Sequence, residues 1–161
     1  MLSPYPNFKA FLALLRACIK IKDLEKGCEI HAEIARTMFL QTNIFIGSSV
    51  VDMYLKCGSI SEAADIFLTV QVKNVVFWTS LIAGHVEFGC DEKALSFLED
   101  MRLNGISPNE VTYVCCLKAC GNGGLLEMGE NIHSELKQKG LLEKDLMLGT
   151  ALMDMYAQCG M

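Results

Sequence analysis

The sequence predicts an all-α protein, a right-handed α-solenoid in which antiparallel helix pairs stack one on the next. The first observation is an internal repeat, since Pro6–Ser59 aligns without a gap on Pro108–Met161, a shift of 102 residues. The second is a succession of helix-periodic stretches separated by glycine, proline or capping residues. Because one helical repeat takes about 34–47 residues, the 102-residue period predicts about three unlike helix pairs.

Composition supports a helical array and excludes several other classes. Of 161 residues, 52% are hydrophobic and only three are proline. No apolar run reaches the roughly 18 residues of a membrane span, and the first seven residues resemble neither a signal peptide nor a transit peptide. The net charge of −5 argues only weakly against nucleic-acid binding. Cys18, Cys57, Cys120 and Cys159 recur at equivalent repeat positions, which predicts packed free thiols in a reducing compartment.

Four helices are predicted in the first half of the chain. Apolar residues at spacings of three and four define the first two, separated by a polar break at Lys20–Asp23, so they form one antiparallel pair. Gly58 ends the third helix, and the S-x-x-E sequence of Ser59 and Glu62 predicts a capping box for the fourth. The predicted helices are Phe8–Ile19, Leu24–Met38, Ile44–Lys56 and one that starts at Ser59 and carries Ala63, Ile66, Phe67 and Val70.

Five further helices are predicted in the second half. Asp91 is expected to cap one of them, Gly105 to end it, and Pro108 to prevent its continuation. Gly140 ends the fourth helix pair, and the last helix is the first of a fifth pair whose partner lies outside the sequence. The predicted helices are Val76–Glu87, Glu92–Leu103, Glu110–Cys120, Leu125–Lys139 and Leu148–Gln158.

A small residue lies about twenty positions into every complete unit. Close approach of two helix backbones at the crossing point of a stacked pair is the expected reason. Units starting at Phe8, Ile44, Val75 and Glu110 have successive lengths of 36, 31 and 35 residues, which together make the 102-residue period. The small residues are Gly27, Ala63, Ala94 and Gly129.

These units resemble pentatricopeptide repeats. The standard 35-residue unit is resembled by the stretch from Val75-Val76-Phe77-Trp78-Thr79 to Ser107-Pro108-Asn109. The long variant is resembled by Leu117-Lys118-Ala119-Cys120 and Ile132-His133. The short variant is resembled by Gly47 with Asp52-Met53-Tyr54 and Lys56-Cys57-Gly58. Such alternation is similar to the PLS subfamily of land plants. The resulting division is 1–7 as the tail of a preceding repeat, 8–43 long, 44–74 short, 75–109 standard, 110–145 long and 146–161 truncated short.

The resemblance implies sequence-specific binding of single-stranded RNA in an organellar RNA editing (C-to-U) or processing factor of the chloroplast or mitochondrion. Each unit would read one base with its fifth and last residues, while its second residue packs on the base. The implied readers are Ser48 with Asn74, Thr79 with Asn109, and Thr150, and the implied packing residues are Phe45, Val76 and Met147. The family's code then implies a core of A-A-N-purine, 5′ to 3′.

The two long units depart from this pattern. They pair Leu12 with Asn43 and Val114 with Asp145, and an aliphatic side chain cannot hydrogen-bond a base. The resemblance implies a spacing role for them, or docking of an editing accessory protein.

Several residues have alternative interpretations. Ser and Thr at the fifth positions are also typical of solvated helix surfaces, and Phe45 and Met147 of a helical core. Lys20, Lys22 and Lys56 lie near turns, where they would contact phosphates or remain solvated charges.

Two motifs imitate catalytic or metal sites. His31-Ala32-Glu33 and His133-Ser134-Glu135 match the H-x-E of zinc deaminases, but no P-C-x-x-C accompanies them and both occupy equivalent repeat positions. Cys28 with His31 and Cys116 with Cys120 do not make a four-ligand zinc set. We therefore expect a non-enzymatic RNA-recognition module with no metal, cofactor, membrane or small-molecule substrate.

The sequence allows two other interpretations of the whole chain. A helical scaffold that binds a protein or peptide would use the same architecture, and it differs from an RNA binder in the residues that line its groove. An array trimmed for structural study is the other, since the sequence begins inside a unit and stops after Gly160-Met161.

Overall fold

The computed structural model describes residues 7–161, and across that range it has ten α-helices and no strand. The all-α fold class is therefore confirmed, while the predicted repeat tail falls almost wholly outside the described residues. None of the described helices combines the length and the apolar character needed to cross a membrane. The helices are α1 (Phe8–Ile21), α2 (Leu24–Ala35), α3 (Phe39–Thr42), α4 (Ile44–Lys56), α5 (Ile60–Thr69), α6 (Val75–Glu87), α7 (Asp91–Leu103), α8 (Glu110–Gly123), α9 (Leu126–Gln138) and α10 (Leu146–Gln158).

The chain divides into two compact units, one extending to Gly84 and the other formed by His85–Met161. In the first unit, α1 packs on α2 and α4, and α4 packs on α5. Phe67 of α5 is 1% exposed and contacts the rings of Phe77 and Trp78 edge-on, with centroid distances of 4.8 Å and 4.6 Å. Helix α1 thus contacts both its own partner and the next helix pair, and Phe67 connects α5 to the first turn of α6.

The second unit repeats this arrangement. Helix α8 packs on α7, α9 and α10, and α10 also packs on α9. Tyr113, Cys116 and Leu136 are fully buried at its centre. A helix that buries one stripe against a partner and another against the following pair gains most of its stability from packing rather than from helix propensity.

Two of the four small residues, Gly27 and Gly129, lie where a methionine of the next helix pair packs. A Cβ atom added to Gly27 would lie 2.9 Å from Met53 Cε, and one added to Gly129 would lie 2.6 Å from Met155 Cε. Both methionines are nearly inaccessible to solvent. The glycines therefore make room for a side chain of the following first helix, whereas the sequence suggested backbone approach within one pair.

Four predicted helix boundaries are wrong by two or more residues. Helix α1 ends at Ile21 instead of Ile19. Helix α2 ends at Ala35 instead of Met38, because the Thr37 hydroxyl donates to the Ile34 carbonyl at 2.6 Å and accepts from the Phe39 amide at 3.1 Å, which starts the short helix α3. At the C-terminal ends, α8 continues to Gly123, beyond Cys120. At the N-terminal end, α10 begins at Leu146 rather than Leu148.

Two predicted caps are also wrong. The Ser59 side chain makes no capping hydrogen bond, and Asp91 is the first residue of α7, with Cys90 at the cap position. The acidic residues in these first turns, Glu62 and Asp91, act on the helix dipole rather than on individual amide groups.

Candidate nucleic-acid interface

The polar residues at the unit ends cap the helices that follow them. Asn74 Oδ1 accepts from the Phe77 amide at 2.9 Å, and Asn109 Oδ1 accepts from the Thr112 amide at 2.9 Å. Asn43 Oδ1 and Asp145 Oδ1 cap α4 and α10 in the same way. Each asparagine uses its amide oxygen for the helix, and its other polar group, Nδ2, can only donate a hydrogen bond. Asp145 has no such donor.

The hydroxyl residues at the fifth positions differ in exposure. Ser48 is half-buried and donates to the Phe45 carbonyl at 3.2 Å, and the exposed Thr150 donates to the Leu146 carbonyl at 3.0 Å. Thr79 is only 8% exposed, and its hydroxyl donates to the Val75 carbonyl at 2.7 Å. Each of the three hydroxyls therefore bonds within its own helix, and Thr79 is the least accessible to a ligand.

The aliphatic fifth residues of the long units are half-buried. Leu12 lies on α1 and Val114 on α8, and neither side chain carries a polar atom.

Large apolar side chains at the second positions point to solvent. Phe45 is 67% exposed, Val76 61% and Met147 67%, so the alternative of core burial does not hold for them. Val111, the second residue of the 110–145 unit, is 58% exposed in the same way and was missed. Its sequence signal is its position 35 residues after Val76, at the start of the next first helix. Singly exposed apolar residues are normal, but their recurrence at the same helix position is not explained by folding.

Two of the three candidate phosphate-binding lysines have intramolecular partners. Lys22 adopts a left-handed conformation with φ 57° and donates from Nζ to the Lys56 carbonyl at 2.5 Å. Lys56 Nζ lies 3.9 Å from Asp52 Oδ1. Lys20 is exposed in the last turn of α1. Lys22 and Lys56 connect the C-terminal ends of α1 and α4, which gives them a structural role whether or not RNA binds.

The histidines of the H-x-E motifs pack on tyrosines of the following helix pair. His31 Nδ1 lies 3.0 Å from the Tyr54 hydroxyl, and His133 Nδ1 lies 2.9 Å from the Tyr156 hydroxyl. The rings meet edge-on, with centroid distances of 5.6 Å and 5.7 Å. Burial lowers the pKa of His31. The histidine therefore recurs because it joins the second helix of one pair to the first helix of the next pair.

The glutamates of these motifs also have structural partners. Glu33 forms an ion pair with Arg36 on its own helix. Glu135 accepts hydrogen bonds from Arg102, from the Tyr113 hydroxyl at 2.6 Å and from Lys139 Nζ at 2.7 Å. Burial alone would raise the pKa of Glu135, but the hydrogen bonds from Lys139 and Tyr113 and the charge of Arg102 hold it below its usual range. Sequence spacing gave no signal for this cluster, because its members come from three helices.

The cysteine motifs show no metal-binding geometry. Cys28 is exposed and accepts a weak hydrogen bond from the Tyr54 hydroxyl at 3.6 Å, while Cys116 and Cys120 are fully buried. Within residues 7–161 no group of three or more His, Cys, Asp or Glu side chains is arranged to hold a metal ion.

Comparison with known proteins gives a consistent result. Models of the PPR repeat family and of the PPR repeat match residues 73–122 and 111–141. A chloroplastic pentatricopeptide repeat-containing protein of Arabidopsis thaliana is 36% identical over 96% of this chain and 25% of its own length. A putative mitochondrial pentatricopeptide repeat-containing protein of the same plant is 37% identical over 96% of this chain and 24% of its own length.

The fold matches a solved structure as well. The crystal structure of the pentatricopeptide repeat protein PPR10 from maize aligns with a TM-score of 0.72 and 24% identity, covering 97% of this chain and 23% of that one. The chain thus spans about a quarter of the length of the proteins it matches. Residues 73–122 and 111–141 thus match models of the pentatricopeptide repeat, and the relatives are pentatricopeptide repeat-containing proteins.

Proposed function

We propose that the chain binds single-stranded RNA sequence-specifically, with one base per reading unit, as the RNA-recognition part of an organellar RNA editing or RNA-processing factor of the PLS type. The unit boundaries and types given under Sequence analysis belong to this proposal. The observation that carries it is the capping geometry of Asn74 and Asn109, which commits each amide oxygen to a helix and leaves the amide donor for a ligand.

The chemistry of that donor favours adenine or cytosine. N1 of adenine and N3 of cytosine accept hydrogen bonds, whereas N1 of guanine and N3 of uracil carry a hydrogen and donate. At this ring nitrogen, an Nδ2 group can pair only with adenine or cytosine. The hydroxyl of Ser48, in the unit that Asn74 closes, is the second reader, and the resemblance assigns this combination to adenine. The proposed core remains A-A-N-purine.

The exposed side chains at the second positions supply the stacking surface. A base that packs on Phe45, Val76 or Met147 buries apolar area that is now in water. In other proteins, stacking of one base on an aromatic ring contributes about 1–3 kcal/mol. Among these residues Phe45 carries the aromatic ring, so we expect the unit of Ser48 and Phe45 to contribute most to affinity.

The units are not expected to discriminate bases equally. Thr79 is nearly buried with its hydroxyl bonded to its own helix, so its use by a base requires a local rearrangement. Ser48 and Thr150 are more accessible. We therefore expect the strongest base preference at Ser48 with Asn74, and a weaker one at Thr79 with Asn109.

The long units would set spacing or dock an accessory protein, since Leu12 and Val114 offer no hydrogen bond to a base. Lys20, Lys22 and Lys56 are the proposed phosphate contacts. With a net charge of −5 and few lysines near the turns, the salt dependence of binding should be shallow. Any chemistry on the RNA would come from a domain or a partner outside this chain, and the names of the relatives support a chloroplast or mitochondrial location.

A selection from randomised single-stranded RNA tests the proposal directly. The full chain should enrich adjacent adenines, and Phe45→Ala should weaken binding to the enriched RNA by about 5-fold to 150-fold, given the stacking energy above. Leu68→Ala is the matched control, because Leu68 is 71% exposed on α5 but is not a second-position residue. Absence of enrichment, or equal losses for both variants, would contradict base reading. Peptide capture without RNA affinity would favour the scaffold instead.

A further inference from the structure

Four of the eight cysteines form two equivalent pairs. Cys18 and Cys57 are separated by the same interval as Cys120 and Cys159, and the 102-residue shift maps one pair on the other. All of these cysteines are free thiols. In each pair one cysteine lies near the end of a first helix, α1 or α8, and the other is the C-cap residue of the next first helix, α4 or α10.

The helices that carry each pair are in contact. The Cys159 thiol donates to the Cys120 carbonyl, with Sγ 3.7 Å from the oxygen. A Cβ atom added to the neighbouring Gly121 would lie 3.3 Å from Met155 Cα, so the two backbones approach closely here. Helices α1 and α4 pack together in the same way as α8 and α10. A disulfide usually joins Cα atoms about 4.4–6.8 Å apart, so a close contact between the two helices is the first requirement for closure.

The pKa directions of the inner thiols agree with the contact of Cys159 on Cys120. Burial and next the neighbouring Cys159 raise the pKa of Cys120 to about 11. Burial, then Asp23 and Cys57, raise the pKa of Cys18. In both pairs, burial is the main reason that the pKa of the inner thiol is raised.

Exposure divides each pair into an outer and an inner thiol. Cys120 is fully buried and Cys18 is 3% exposed, whereas Cys57 and Cys159 are partly accessible. A small reagent in solution can reach only the outer cysteine. The inner cysteine can then attack the modified sulfur without leaving the protein interior.

We propose that each pair is a reversible dithiol site that closes to a disulfide on reaction with a small-molecule disulfide such as oxidised glutathione. In the first step the outer thiolate, Cys57 or Cys159, attacks a glutathione sulfur, forms a mixed disulfide and releases one glutathione thiolate. In the second step the inner thiolate, Cys18 or Cys120, attacks the outer cysteine sulfur and releases the second glutathione thiolate. The two cysteine protons go to the two released thiolates, so the cysteines are oxidised and the glutathione disulfide is reduced.

Closure would link α1 to α4 and α8 to α10. Since those contacts join consecutive helix pairs, the two disulfides would fix the spacing of neighbouring repeats. Because the second step needs the Cys120 thiolate, the closing rate of that pair should rise about tenfold for each pH unit between pH 7 and pH 9.

The test is oxidation of the folded full chain with oxidised glutathione, followed by alkylation and non-reducing peptide mass spectrometry. We expect cross-linked peptides that contain Cys18 with Cys57 and Cys120 with Cys159, both removed by dithiothreitol. Cys120→Ser should trap Cys159 as a lasting mixed disulfide with glutathione, and Cys159→Ser should leave Cys120 as a free thiol. Cys90→Ser is the control, because Cys90 is exposed and belongs to neither pair, and it should change neither cross-link.

Some results would overturn the proposal. One is a Cys120 thiol that stays free while Cys159 carries glutathione in the unsubstituted chain. Another is a set of cross-links that pairs the cysteines at random, or that forms only when urea has unfolded the chain. If the cross-links form as expected, the urea midpoint of the oxidised chain should exceed that of the reduced chain.

Discussion

Equivalent glycines in α4 and α10 should respond in opposite directions to the same substitution. Gly47 and Gly149 are related by the 102-residue shift, and each lies in the first turn of its helix. A Cβ atom added to Gly47 would lie 3.1 Å and 3.2 Å from the two methyl carbons of Val70 and 3.4 Å from the Leu40 carbonyl oxygen. A Cβ atom added to Gly149 would have no atom within 4 Å apart from its chain neighbours and the nearby backbone of its own helix. The difference arises because Val70, the C-cap residue of α5, and Leu40 of α3 pack against this position of α4.

The expected magnitudes follow from two opposing effects. Replacing a helical glycine by alanine gains about 1 kcal/mol in helix propensity, and this gain applies to both positions. Overpacking of a buried site costs about 1–3 kcal/mol, and only Gly47→Ala incurs it, because Val70 is 1% exposed and β-branched. Gly149→Ala should therefore stabilise by up to about 1 kcal/mol, and Gly47→Ala should be neutral or destabilise by up to about 2 kcal/mol.

Urea unfolding followed by circular dichroism measures both effects. The single tryptophan, Trp78, lies in the first compact unit with Gly47, so its fluorescence reports separately on that unit. Equal stabilisation by the two substitutions would refute the packing described at Gly47. Destabilisation by Gly149→Ala would refute the open surroundings described for α10.

Three further predictions concern single side chains. Tyr54→Phe removes the hydroxyl that reaches His31 and should lower the free energy of unfolding by about 0.5–1.5 kcal/mol, measured in urea; an unchanged midpoint would show that this contact contributes nothing. Burial lowers the pKa of His31. The stability that the neutral His31 side chain contributes is therefore present above its unfolded pKa of about 6.5 and is lost as the pH falls through its folded pKa. An NMR titration midpoint of His31 at or above about 6.5 would contradict the burial. Glu135 has a folded pKa below its usual range, because its hydrogen bonds and positive neighbours outweigh burial, which alone would raise it; its stability contribution is present above the unfolded pKa of about 4.3 and is lost in acid below it. Glu135→Gln should flatten that acid limb, and an unchanged limb would count against the cluster.

The fold class could be predicted because the signals for it are local and repeated. Helix periodicity, terminal glycines and the 102-residue shift each depend on short stretches of sequence. The absence of a side-chain cap at Ser59 could not be predicted, since a capping box needs a side-chain rotamer that reaches the backbone amide as well as the S-x-x-E residues. The short helix α3 depends on the two hydrogen bonds of Thr37, and no sequence pattern predicts them.

Contacts between helix pairs could not be predicted from the sequence. The repeated His–Tyr contact was visible only as two unexplained motifs, because its partners are 23 residues apart on different helices. The structural roles of Lys22 and Lys56 depend on the left-handed backbone at Lys22, at a position where the equivalent residue is Gly124. The capping role of the last residue of each unit was equally hidden, although the sequence singled out those residues for RNA reading. Base reading itself stays a prediction.

A paired substitution at two helix caps tests the central claim most directly. Asn74→Asp and Asn43→Asp both keep a capping oxygen, both add one negative charge, and both replace an amide donor by an acceptor. Base preference should be measured with single-stranded RNAs that vary only at the position assigned to Ser48 and Asn74. We expect Asn74→Asp to change the preferred base from adenine to guanine, whose N1 donates, and Asn43→Asp to leave adenine preferred because its unit pairs with Leu12. An adenine preference that survives Asn74→Asp, or an equal change in both variants, would contradict base reading by the capping asparagines.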